Sequence, residues 1–189
     1  LLLISITVLP VWLIAYFLPY FFIGSALGLI SAPVSVEGQS MEPTIIAGEQ
    51  PSMLSYWKHS KISHGDIVVV QNANTNDDEG NISYIKRVIG LPGDEVEIRN
   101  GFVYLNGELS KEKYTAKPRS TFGGDFIKEC QKVTVPDDSI FVMGDNRTNS
   151  HDTRAIGFIS LDDIKQYLPM EKQTIFEYRW RDSSGDDIT

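Results

Sequence analysis

The sequence predicts a mainly β body preceded by an N-terminal membrane helix, and three observations carry that expectation. Residues 1–36 contain no charged side chain, and all 17 basic and 25 acidic residues lie beyond them. After the apolar run, β-branched segments are separated by turns rich in Gly, Asn and Asp. Two Asn-Gly pairs, Asn100-Gly101 and Asn106-Gly107, fall between short apolar runs. Asn-Gly is the strongest two-residue hairpin signal, because both positions tolerate positive φ.

Residues 1–30 are apolar on every side, longer than the roughly 20 residues that cross a bilayer. Pro10 and Pro19 are tolerated in membrane helices, and Trp12, Tyr16 and Tyr20 suit the lipid–water interface. A cleaved leader has a basic start and a core of about 7–15 residues, and a core helix is amphipathic; both fit less well. The chain begins at Leu1 without methionine, so a preceding piece is expected. The first basic residue after the anchor is Lys58, which favours an extracytoplasmic body.

Beyond the anchor, Pro33 keeps 31–38 extended. Residues 67–70, Ile-Val-Val-Val, read as a buried strand, 72–81 as a loop, and 84–89 as a strand ended by Gly90-Leu91-Pro92-Gly93. A meander follows over 96–99 and 102–105. Residues 109–129 read as a mobile, charged surface segment, and 140–143 as a strand delivering Gly144-Asp145. Ser160 with Asp163 predicts a capped short helix through 167, and the polar tail 182–189 is expected to fray.

A net charge of −8 with scattered basic residues argues against a nucleic-acid partner. The single cysteine, Cys130, cannot form an internal disulfide, lacks an activating motif and is expected to be part-buried. His59 and His64 flank Lys61 without the further ligands a metal site needs, so no metal is expected and both read as solvent-facing.

Three segments carry chemistry: Gly38-Gln39-Ser40-Met41-Glu42-Pro43-Thr44, the run from Tyr84-Ile85-Lys86-Arg87 to Pro92-Gly93-Asp94, and the run from Gly144-Asp145-Asn146-Arg147 to Ser150-His151-Asp152-Thr153-Arg154. In a strand, Tyr84, Lys86 and Val88 share one face, and Ile85, Arg87 and Ile89 the other. At least one cation is thereby set against apolar surroundings. A buried lysine has a lowered pKa, and its neutral amine can take the proton of a serine hydroxyl. Extended chain through Gly38-Gln39 would aim N–H groups near Ser40 at a developing oxyanion.

In this order, and with Gly65-Asp66-Ile67-Val68 between the first two, these boxes closely resemble those of type I signal peptidases. The resemblance implies that Ser40 is the nucleophile and Lys86 the general base, with Ser150 hydrogen-bonding the Lys86 amine. It implies an Asp152–Arg154 ion pair, similar structural roles for Asp145 and Arg147, and a nucleophile turn shaped by Gly38, Met41 and Pro43. It further implies a β-rich catalytic core over 31–189 with a variable β insertion at about 95–139, behind an anchor over 1–30. The implied activity is a serine endopeptidase that needs no cofactor and removes signal peptides from exported preproteins, cutting after small residues. Its partners would be signal peptides and the lipid bilayer, with one membrane pass and the catalytic domain outside the cytoplasm. Two positions depart from the pattern. Some members have a serine at the place of Gly38 that lends its hydroxyl to the oxyanion hole, and Thr153 stands where Ser is common.

Other readings fit less of the chain. His151 lies between Ser150 and Asp152, but neighbours in extended chain point apart, so the three form no triad together. A self-processing Ser–Lys protease of the cytoplasm would lack the anchor. A non-catalytic domain that binds peptides by strand addition would need no Ser–Lys pair.

Overall fold

A computed structural model describes residues 12–20, 23, 31–57, 60–71, 83–177 and 179–180. Residues 12–20 are helical, with Trp12, Phe17 and Tyr20 exposed. Among the described residues, no helix is long and apolar enough to cross a membrane. Residues 1–11, 21–22 and 24–30 of the expected anchor, the loop over 72–81, His59 and the tail 182–189 lie outside the described residues.

The body is built from two antiparallel sheets. The larger comprises β1 (Ser31–Pro33), β2 (Ser52–Ser55), β3 (Ile67–Gln71), β4 (Ser83–Gly90), β9 (Ser139–Met143), β10 (Ile159–Ser160) and β11 (Ile164–Leu168), in spatial order β1-β2-β11-β3-β4-β9-β10. The smaller comprises β5 (Glu95–Arg99), β6 (Phe102–Leu105), β7 (Glu108–Leu109) and β8 (Lys132–Thr134), in order β7-β6-β5-β8.

Both faces of the larger sheet are covered. Ile67, Val69, Ile89, Phe141 and Met143 join a core that continues into the small sheet through Val96, Ile98 and Val103. On the opposite face Val68, Val70, Val88, Ile140 and Val142 form a second core. A strand buried on both sides has no reason to alternate, which accounts for the unbroken apolar run of β3. Both Asn-Gly pairs turn the meander with positive φ, 54° and 84° at Asn100 and Gly101, and 53° and 85° at Asn106 and Gly107. That is the backbone a two-residue hairpin of matching twist requires.

Three expectations are corrected. Ser160 does cap a turn, accepting from the Asp162 N–H at 3.2 Å, but only one 3₁₀ turn follows (Leu161–Asp163). The chain then enters β11, which lies between β2 and β3. Ile164 and Leu168 pack inward there, and ladder bonds on both sides override a weak local helix signal. The segment 109–129 has little regular structure but is not merely a surface loop: Tyr114, Thr121 and Ile127 are buried. Cys130 is exposed, in a turn at φ 61°.

Candidate active site

β4 runs through the middle of the larger sheet, and Lys86 pairs across it with Val68 of β3. The lysine shares its face with Tyr84 and Val88, which pack into the second core, and it is 4% exposed. Ser40 opens a turn rather than lying in extended chain. Glu42 N donates to Gln39 O at 3.2 Å and Ile45 N to Met41 O at 2.9 Å, and fully buried Met41 and Ile45 pin that turn to the core. Pro43 lies within it, while Gly38 precedes it with open space where a side chain would begin.

These two elements bring Lys86 Nζ to 2.8 Å from Ser40 Oγ. The amine also donates to the Ile85 carbonyl at 2.9 Å and lies 5.6 Å from the centre of the Tyr84 ring. Burial lowers the Lys86 pKa to about 8, against the opposing pull of the Asp152 and Asp145 carboxylates. Neither carboxylate hydrogen-bonds the amine; both are held by arginines. No hydrogen bond among the described residues uses the Ser40 N–H.

The third segment leaves β9 and folds over the nucleophile turn. Asn146 N donates to the Ser40 carbonyl at 3.0 Å. A side chain on Gly144 would collide with the Ser40 carbonyl oxygen and with Ser150 Oγ, so only glycine allows this approach. Asp152 accepts from the Gly144 N–H at 3.1 Å and from Arg154 Nε and Nη2, each at 2.8 Å. Burial would raise the Asp152 carboxyl, but Arg154 holds it below the ordinary value. The expected Asp152–Arg154 pair is therefore formed.

One detail differs from expectation. Ser150 does not hydrogen-bond Lys86. Its buried Oγ lies beside the Asp152 carboxylate, favouring that charge without closing a hydrogen bond of ordinary geometry. The Ile85 carbonyl has taken the second position on the amine instead. Asp145 and Arg147 are both buried, and each is held by its own partner. Arg147 binds Glu112 through two bonds of 2.8 and 2.6 Å and donates to Thr121 Oγ1 at 2.6 Å, which is why the segment 109–129 packs inward. Asp145 accepts from Arg87 Nε and Nη2, each at 2.7 Å, and from the Thr44 hydroxyl.

Arg87, Thr44, Glu112 and Gln173 are thus structural members of the site that sequence reasoning did not single out. Arg87 Nη1 donates to Gly65 O and Gln173 Oε1, and its guanidinium lies 3.9 Å from the Tyr114 ring centre. The one available signal was the pairing of two adjacent cations on opposite faces of a buried strand. His151 is exposed, and His64 bonds Asp94 at 2.6 Å. Neither reaches Ser40 or Lys86, and the described residues hold no cluster able to ligate a metal.

A buried lysine amine on a serine hydroxyl, with no histidine bonded to either, is the dyad of a Ser–Lys hydrolase. The chain matches the family described as signal peptidase, peptidase S26, over residues 9–167, and belongs to it. It is 36% identical to signal peptidase I P of Bacillus subtilis subsp. natto over 70% of this chain and 72% of that protein. It is 41% identical to signal peptidase I of Bacillus amyloliquefaciens over 65% of each chain. With signal peptidase IB of Staphylococcus aureus strain Mu50 it shares 36% identity over 71% of this chain and 74% of that protein. The chain is a signal-peptidase-type serine endopeptidase, associated with the membrane, that cleaves the signal peptides of exported preproteins.

Proposed function

We propose that Ser40 is the nucleophile and Lys86 its general base. The observation that carries the reading is a 2.8 Å contact between Ser40 Oγ and an amine that is buried and unpaired by any carboxylate. In its neutral form Lys86 takes the hydroxyl proton as Oγ attacks the scissile carbonyl, then returns that proton to the departing amine. The Ser40 N–H faces the oxyanion, while Asp152, Arg154, Asp145, Arg147, Met41 and Pro43 hold the geometry. Ser150 fills the space beside Asp152 and Gly144.

Substrate adds as a strand beside the segment before Ser40, which places alternate side chains toward two shallow subsites and favours small residues before the cut. Residues 1–30 anchor the chain in a single membrane pass, and 31–189 form the extracytoplasmic catalytic domain, with the small sheet inside a variable insertion over about 95–139. Exposed apolar side chains along helix 12–20 support that topology.

The test is a pH profile of kcat/KM on a signal-peptide substrate, for wild type and three variants. Activity is expected to rise with a midpoint near pH 8 as Lys86 loses its proton. Ser40→Ala and Lys86→Met should each lower kcat by on the order of 10⁴-fold or more, and His151→Ala should retain wild-type turnover. A rising limb near the ordinary histidine value of about 6.5, with Lys86→Met still active, would end the Ser–Lys reading.

A further inference from the structure

Beyond the dyad, a groove of about 540 Å³ runs along the side of the nucleophile turn that follows Ser40, a volume typical of ligand clefts. We infer that this groove receives the residues on the carboxyl side of the scissile bond, and that Glu42 and Lys117 read their charge. The inference rests on Ser40 being the nucleophile.

Its position carries the first half. Pro43 and Ile46, shortly after the nucleophile in the chain, line the groove together with Ala116 and Lys117. Residues 116–117 are held to the site by the backbone, because Ala116 N donates to Asp145 O at 3.0 Å. Asn146, also in the lining, ties the groove to the dyad: its N–H donates to Ser40 O at 3.0 Å and its Nδ2 to Gln39 O at 3.3 Å. When the half before the cut lies along the segment preceding Ser40, the departing half must leave on the other side of Oγ. The groove lined by Glu42 and Pro43, two and three residues past Ser40, and by Asn146, which bonds the Ser40 carbonyl, is the cleft that borders the dyad.

The lining carries the second half. Pro43, Ile46 and Ala116 give apolar contact without a deep pocket, which suits varied side chains. Glu42 and Lys117 bring one charge of each sign. Among the described residues neither forms an ion pair, whereas most acidic and basic groups around the dyad do. An acidic residue just after the cut meets Lys117, and a basic one meets Glu42. Lys117 is exposed and Glu42 half-buried, and charges so placed alter binding modestly, by a few-fold each.

The experiment measures kcat/KM for three peptide series that share one signal-peptide half and carry acidic, neutral or basic residues in the first positions after the cut. The neutral series sets the reference for each enzyme. Lys117→Glu is expected to lower the acidic-to-neutral ratio by about three- to tenfold and to raise the basic-to-neutral ratio. Glu42→Gln should lower the basic-to-neutral ratio alone. Equal shifts in all three series, or unchanged ratios, would overturn the inference and leave the dyad untouched. Persisting activity in Ser40→Ala would instead remove the reading beneath it, whatever the charge pattern.

Discussion

Lys86 and Arg87 are consecutive residues of β4, both buried, yet the two faces of the strand treat their charges in opposite ways. Arg87 enters the core among acceptors: the Asp145 carboxylate, the Gly65 carbonyl and Gln173 Oε1, with Tyr114 stacked on its plane. Lys86 enters the other face with only a hydroxyl and a backbone carbonyl to receive its protons. Burial with a matched carboxylate keeps a charge in place, whereas burial without one makes the neutral form accessible near physiological pH. One strand thereby carries both a permanent structural ion and an amine that can become neutral.

The contrast breaks most readily at Arg87. Arg87→Met leaves Asp145 buried without its guanidinium and is expected to cost about 3–5 kcal/mol, or roughly 10 °C in Tm for a domain of this size. Thermal unfolding at pH 7 checks it, and a Tm within about 2 °C of wild type would remove Arg87 from the structural role.

The same substitution at the neighbouring residue is expected to act in the opposite direction. The folded pKa of Lys86 is about 8, against about 10.4 in an unfolded chain. Between those values the unfolded state binds more protons, so stability rises with pH across that window. Below it, the buried cation costs roughly 3 kcal/mol. Lys86→Met should therefore stabilise the protein at pH 7 by about 1–3 kcal/mol while abolishing turnover, and flatten the rise in stability above pH 8. Denaturant titrations at pH 7 and 9.5 measure both effects.

A smaller effect sharpens the picture at the rim. His64 bonds Asp94, which also accepts from the Leu91 N–H and from Asn106 Nδ2. Because the histidine is half exposed, His64→Ala should cost at most about 1 kcal/mol and leave the pH midpoint of catalysis unmoved. A displaced midpoint would mean that charges outside the core reach Lys86.

Much of this arrangement was legible in the sequence because it is local. The Asn-Gly turns, the unbroken run of β3 and the alternation of β4 are properties of a few adjacent residues. The alternation itself foresaw that a cation would meet apolar surroundings. What stayed hidden depends on partners far along the chain. No adjacent residue marked the partners of Asp145 and Arg147, which are Arg87 and Glu112, 58 and 35 residues away. Ser150 looked like the second ligand of the lysine amine, yet a carbonyl one residue before that lysine reaches it first. Residues 164–168 followed a helix-start signal and still became a strand, because a place between β2 and β3 was open to them.

The long sequence span of the network around Thr44 also bears on the order in which the chain is made. Thr44, four residues after Ser40, is bonded to Asp145, 101 residues later, and to Trp180, 136 residues later. A chain emerging from the ribosome presents Ser40 first, Lys86 next and Trp180 well after both. The buried network that holds the nucleophile turn therefore closes only after the chain has been made through Trp180, well after Ser40 and Lys86 have both emerged.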